Sequence, residues 1–140
     1  MDNKDLLKIA IEAKQKSYSP YSNFRVGAAL LAKNGEVYTG ANIENASFGV
    51  TNCAERTAIF KAVSEGVRDF EKLAISVDSE NIGYPCGLCL QVMTEFCDDD
   101  FCIIVSNKDG KFLEVTLKDL LPKAFRKHEL DDFIGGKNGI

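Results

Sequence analysis

Cys53, Cys86 and Cys89 are the residues with the most evident chemical potential, because thiolates so spaced can grip a soft metal ion. The segment Pro85-Cys86-Gly87-Leu88-Cys89 puts two sulfurs at i and i+3, neighbours on one helical face. Cys53 is expected to open one helix, with Cys86 and Cys89 in the first turn of the next. Helix N-termini carry partial positive charge and unpaired N–H groups, which favour thiolate over thiol. Three protein ligands with no evident fourth is the count of a catalytic zinc site, whereas a structural zinc usually takes four. Cys97 and Cys102 flank an acidic turn and read as small packed groups, although either could supply a fourth sulfur. His128, the sole histidine, reads as a surface residue. A redox pair or buried free thiols are the simpler alternatives for the cysteines.

Glu55 follows Cys53 by two residues, so its carboxylate can reach an open metal position without being a ligand, as a general base does. The same spacing also reads as a capping box, with Asn52 at the N-cap and Glu55 at N3. Arg56 is a surface charge by default. Beside three thiolates and Zn2+, its guanidinium would offset the net negative charge.

The elements that must gather these groups follow from periodicity. Asn3 can cap a first helix, with Leu6, Leu7, Ala10, Ile11 and Ala13 at helical spacing to about residue 17. Strands are expected over 26–32 and 36–41, joined by Asn34-Gly35 with two positive φ angles. The polar stretch 42–47 then ends the second strand. A helix over 53–64 has Ala54, Thr57, Ala58, Ile59 and Ala62 for packing and Gly66 as its stop. A buried strand over 73–77 and a helix over 86–96 follow, then strands over 101–105 and 112–116 and a short helix over 117–121. Whether the last two strands pair as a hairpin is left open. The helix from Cys53 covers about 18 Å at 1.5 Å per residue, and the strand returns a similar distance. The second helix therefore starts where the first started, and three sulfurs can converge. The order predicts a three-layer α-β-α domain of the α/β class with a mixed five-stranded sheet, antiparallel at the first hairpin and parallel across helical crossovers.

The chain has 140 residues, 45% hydrophobic and 27% charged, an ordinary globular profile. One domain over 1–134 is expected, with a Gly-rich tail over 135–140 that has little to bury and is expected to be disordered. Seventeen Lys+Arg against 21 Asp+Glu, with a pI near 5.0, disfavour nucleic acid as the main ligand. No stretch approaches the ~20 apolar residues of a membrane span. The N-terminus lacks an export signal and the five cysteines are odd in number, so a cytoplasmic location is expected.

A metal-ligand-x-Glu followed by Pro-Cys-x-x-Cys is the known signature of the zinc deaminases. It appears here as Cys53-Ala54-Glu55-Arg56 and Pro85-Cys86-Gly87-Leu88-Cys89, the all-cysteine version. The chain resembles the small homotetrameric cytidine deaminases from Tyr21-Ser22-Asn23-Phe24-Arg25-Val26-Gly27-Ala28, through Asn42-Ile43-Glu44-Asn45-Ala46-Ser47, to Leu120-Leu121-Pro122-Lys123-Ala124-Phe125. The resemblance implies a cytidine deaminase-like fold and one Zn2+ per chain on Cys53, Cys86 and Cys89, with Glu55 as proton shuttle. The implied reaction is hydrolytic deamination of cytidine and 2′-deoxycytidine, a step of pyrimidine salvage. It further implies that Phe24 packs on the pyrimidine, that Ala54 touches the substrate, and that Asn42 and Glu44 bind ribose hydroxyls. Phe125 is similar to an aromatic that completes a neighbouring subunit's pocket, which implies a homotetramer with shared sites. Two positions depart from the family: Leu90 stands where arginine is common and Leu88 where a small residue is usual. A deaminase of a cytosine nucleoside analogue or antibiotic is the alternative enzyme, and a non-catalytic zinc module the alternative outside enzymes.

Overall fold

The structure, a computed structural model, describes residues 1–134; the expected tail over 135–140 lies outside the described residues. Helix α1 (Asn3–Lys14) is capped by Asp2 rather than Asn3, the Asp2 carboxylate accepting from the Asp5 N–H at 2.8 Å. Asn3 turns to the sheet, where it donates to Glu114 and accepts from Lys72. Leu6, Leu7, Ala10 and Ala13 are buried, but Ile11 is exposed. The helix ends at Lys14 instead of near residue 17, because Tyr18 is drawn into a bridge with Ile43.

Strands β1 (Val26–Ala32) and β2 (Val37–Ala41) form the expected antiparallel hairpin. Its turn differs from the expected pair of positive φ angles: only Gly35 takes one, at 90°. Asn34 contributes its side chain instead, accepting from the Glu36 N–H, while the Gly35 N–H donates to the Ala32 carbonyl. After a short 3-10 turn (Phe48–Val50), helix α2 (Ala54–Ser64) leads to β3 (Phe70–Val77), α3 (Gly87–Phe96), β4 (Cys102–Ser106) and β5 (Phe112–Thr116). A one-turn helix α4 (Leu117–Leu120) starts on a Thr116/Asp119 capping box. Helix α5 (Lys127–Ile134) was not foreseen from the sequence.

The sheet order is β2-β1-β3-β4-β5. Strands β3 and β4 are parallel across α3, and β4 and β5 pair antiparallel, which settles the open pairing as a hairpin. Between β2 and β3 the α2 crossover skips a strand: both run antiparallel to the intervening β1 and are therefore parallel to one another. Helix α1 covers one face, packing Leu6, Leu7 and Ala10 on Ala29, Leu31, Ala74 and Ile104. Helices α2 and α3 cover the other, over Leu30, Leu73, Ile75, Ile103 and Val105, which makes the three layers expected. Ile59, 1% exposed, anchors α2 there; burying such a side chain stabilises by about 1.5–3 kcal/mol. Glycine sets how closely that helix approaches: a Cβ on Gly40 would lie 2.4 Å from the Ala54 carbonyl oxygen and 2.6 Å from the Ala58 nitrogen.

Candidate active site

The first turn of α2 sits at the end of β2 because Ile43 and Asn52 exchange both backbone hydrogen bonds, at 2.9 Å each, closing the loop between them. That bridge takes Asn52 out of the helix. Cys53 becomes the N-cap of α2, with no side-chain cap bond, while Asn52 Nδ2 donates to Thr57 Oγ1. Glu55 is then the second helical residue and not the third, so the capping-box reading fails on register. Its carboxyl group is buried, with the residue 4% exposed.

Cys86 is likewise the uncapped N-cap of α3, and Cys89 lies one turn on. Among the described residues, the sulfurs of Cys53, Cys86 and Cys89 form the one group of possible ligands lying within 4.8 Å of one another. Cys53 Sγ is 3.8 Å from Cys86 Sγ, which is 3.6 Å from Cys89 Sγ. A tetrahedral zinc with Zn–S near 2.3 Å spaces its sulfurs about 3.8 Å apart. The donor set therefore fits Zn2+ in both softness and spacing. Neither remaining cysteine joins it: Cys97 is buried at the far end of α3, and Cys102 lies against Glu114 on β5. His128 is exposed on α5.

Arg56 Nη2 donates to Cys53 Sγ at 3.2 Å, and its buried Nε has no partner among the described residues. Hydrogen bonding from Cys89, joined by Arg56 and opposed by burial, holds the Cys53 thiol well below its ordinary pKa. Cys89 is pushed up by Cys53 and by burial, since a second negative charge at this spacing is opposed by the first. Burial pushes the Glu55 carboxyl up to about 7, and the Cys53 charge adds to the rise.

Glu55, Cys53, Cys86 and Ala54 open on a cavity of about 330 Å3 whose other walls include Phe24, Val26, Asn42, Ile75, Val77 and Tyr84. Thus the structure brings Phe24, Asn42 and Ala54 together with the sulfurs and the carboxyl group. Asn42 Oδ1 accepts from the Val26 N–H at 2.9 Å and from Ser17 Oγ, while Nδ2 donates to the Phe24 carbonyl at 2.8 Å. Among the described residues its second amide N–H has no acceptor and can donate to a ligand. Glu44 lines an adjoining cavity of about 320 Å3 with Tyr21, Ser22 and Phe48, and Thr51 borders both. The Ser22 hydroxyl, opposed by burial and joined by the Ser22 and Tyr21 N–H groups, holds the Glu44 carboxyl below the usual carboxylate range.

Phe125 lines neither cavity; the residue is 52% exposed, and its carbonyl accepts from Gln91 Nε2. Leu90 is 7% exposed and packs in the core under α3, whereas Leu88 is 66% exposed. Thr51 and Tyr84 were not foreseen as wall residues. The available signal for Tyr84 was its place after β3, in the crossover leading to Cys86, where parallel sheets bind ligands.

Comparison with known proteins agrees with this geometry. Residues 1–105 match the family described as the cytidine and deoxycytidylate deaminase zinc-binding region. A Halalkalibacterium halodurans protein named cytidine deaminase is 52% identical over 132 residues, covering 94% of this chain and 100% of that protein. A blasticidin-S deaminase of Bacillus cereus is 32% identical over 132 residues, covering 89% and 92%. The crystal structure of a cytidine deaminase from Burkholderia pseudomallei superposes with a TM-score of 0.86 at 42% identity, covering 89% of this chain and 100% of that one.

Proposed function

We propose, since the chain belongs to the cytidine and deoxycytidylate deaminase family, that it hydrolyses cytidine and 2′-deoxycytidine to uridine and 2′-deoxyuridine with release of ammonia. The observation that carries this reading is a buried carboxyl group, Glu55, sharing one cavity with sulfurs at tetrahedral zinc spacing. Cys53, Cys86 and Cys89 would hold one Zn2+ per chain, and Arg56 would balance their charge. Zinc bound there supplies Lewis acidity that brings the pKa of a water toward neutrality.

Glu55 is the proton shuttle in this scheme. Its carboxylate takes one proton from the attacking water and delivers it to N3 as the water oxygen bonds to C4. It then takes the second proton from the new C4 hydroxyl and gives it to the amino group, so that the C4–N bond breaks, ammonia leaves and the C4 carbonyl forms. A carboxyl group whose pKa is raised by burial suits both directions of transfer. Phe24 packs on the pyrimidine and Ala54 lies beside it. Asn42 donates its remaining N–H to a ribose oxygen, and Glu44 accepts from a ribose hydroxyl.

The reading extends to a cytoplasmic enzyme of pyrimidine salvage, acting as a homotetramer. Free cysteines at the site suit a reducing compartment. The exposure of Phe125 away from its own chain's cavity supports a place in a neighbouring copy's site. Among the described residues no helix is long and apolar enough to cross a membrane.

The identity to the halodurans protein, well above that to the blasticidin-S deaminase, favours cytidine over an antibiotic nucleoside. A non-catalytic zinc module in which Glu55 serves only as a helix cap is disfavoured, because Glu55 is the second helical residue and not the third. Incubation with cytidine, deoxycytidine and blasticidin S, read by ammonia release and loss of cytosine absorbance, tests the proposal alongside zinc analysis. Turnover of the first two with one zinc per chain is expected. Bound zinc without turnover of any of them would refute it, and turnover of the antibiotic alone would favour the alternative.

A further inference from the structure

The C-terminal end of α1 and the turn that follows it send three side chains to three different strand ends around the cavity. Lys14 Nζ lies 2.9 Å from Asp78 Oδ1, just past the end of β3, with the Lys14 side chain only 7% exposed. Gln15 Oε1 accepts from Arg25 Nη1 at 3.1 Å, just before β1. Ser17 Oγ donates to Asn42 Oδ1 at the end of β2. Arg25 closes the circuit, with its Nε 2.7 Å from Asp78 Oδ2 and its carbonyl accepting from the Asp78 N–H at 3.1 Å. Close contact seats the helix there: a Cβ on Gly27 would lie 2.1 Å from the Ala10 carbonyl oxygen and 2.5 Å from the Lys14 nitrogen.

The segment so held bears the cavity wall. Phe24 lies between Arg25 and Asn23, which is in the left-handed region at φ 57°. Such a turn has little ladder bonding of its own and needs fixing at both ends. On one side Glu44 holds the Tyr21 and Ser22 N–H groups; on the other Asp78 holds both the backbone and the side chain of Arg25. Val77, next to Asp78, is itself a wall residue.

We propose that the Lys14–Asp78–Arg25 ion triad is a positioning device: it sets Phe24 and the Asn42 amide for nucleoside binding and takes no part in holding the metal. The proposal rests on the nucleoside reading above. It differs from a purely stabilising ion cluster in what it predicts for binding. A guanidinium gripped from two directions fixes an angle as well as a distance, so loss of Arg25 loosens the wall without emptying the core.

The test compares the full chain with Arg25→Ala and Arg25→Lys in four measurements: KM and kcat for cytidine, uridine affinity by calorimetry, zinc per chain, and melting temperature. Arg25→Ala is expected to raise KM and weaken uridine binding about tenfold, with kcat within about threefold of the parent. Zinc content should stay unchanged. Arg25→Lys, which keeps a cation toward Asp78, should recover part of the loss. Unchanged KM and uridine affinity in Arg25→Ala would overturn the proposal, as would losses that track melting temperature or zinc content. If the parent binds uridine but releases no ammonia from cytidine, the catalytic reading fails while the binding comparison still decides this one. A parent that binds no nucleoside overturns both.

Discussion

Arg56 Nη2 and Cys53 Sγ meet at 3.2 Å, so a residue of α2's first turn neutralises the sulfur of that helix's own N-cap. The guanidinium should matter for both the metal and the rate, because a thiolate trio without a counter-charge weakens the electrophile it holds. Arg56→Gln is expected to lower zinc affinity or turnover by about 10- to 100-fold, the usual cost of losing such support. Chelator competition and ammonia release check it; parental values for both would show that the contact is incidental.

Glu55 offers a cleaner separation of chemistry from assembly. Glu55→Gln preserves shape while removing the proton-carrying oxygen, so zinc content and fold should survive. Turnover should fall about 10²- to 10⁴-fold, the range ascribed to general acid–base groups. A variant that released ammonia from cytidine at the parental rate would remove Glu55 from the mechanism.

Much of the site was readable because its logic is one of lengths: a helix and a returning strand of similar span bring Cys53 and the Cys86–Cys89 turn to one edge of the sheet. Registers that depend on distant partners were not readable. Asn52 and Glu55 satisfy the spacing of a capping box, yet the bridge between Asn52 and Ile43 moves the cap to Cys53. Asn34-Gly35 marked the hairpin correctly but not its turn, since the Asn34 side chain does locally what a second positive φ would have done. Thr51 and Tyr84 reach the cavity only through the packing of loops, which carries no periodicity.

Gly40 lies outside both cavities, yet it governs where α2 begins. A methyl group there would need the Ala54 carbonyl, 2.4 Å away, to retreat, and Cys53 and Glu55 flank that residue. Gly40→Ala is expected to destabilise the protein by about 1–3 kcal/mol, as overpacking does. It should also weaken zinc binding, since the sulfur moves with the helix. Denaturant midpoints and zinc affinity measure the two effects, and an unaltered metal affinity would mean that α2 shifts without carrying its first turn.

Asp78 makes the pH dependence of stability specific. Burial raises its pKa, but Lys14 and Arg25 outweigh that effect and hold the carboxyl below the usual carboxylate range. Its folded pKa is therefore lower than its unfolded value near 4, and between the two values the unfolded chain binds more protons. The stabilisation is then fully present above the unfolded value and is lost as pH falls through the folded one. Lys14 and Arg25 are the cations facing it. Asp78→Asn should cost about 2 kcal/mol at neutral pH, because it leaves the Lys14 ammonium buried without its counter-ion. The gap in stability between parent and variant should hold steady from pH 8 to about 5 and shrink below about 4. Thermal unfolding of both proteins across that range measures it; a gap that stayed constant into acid would mean that Asp78 acts through packing and hydrogen bonds alone.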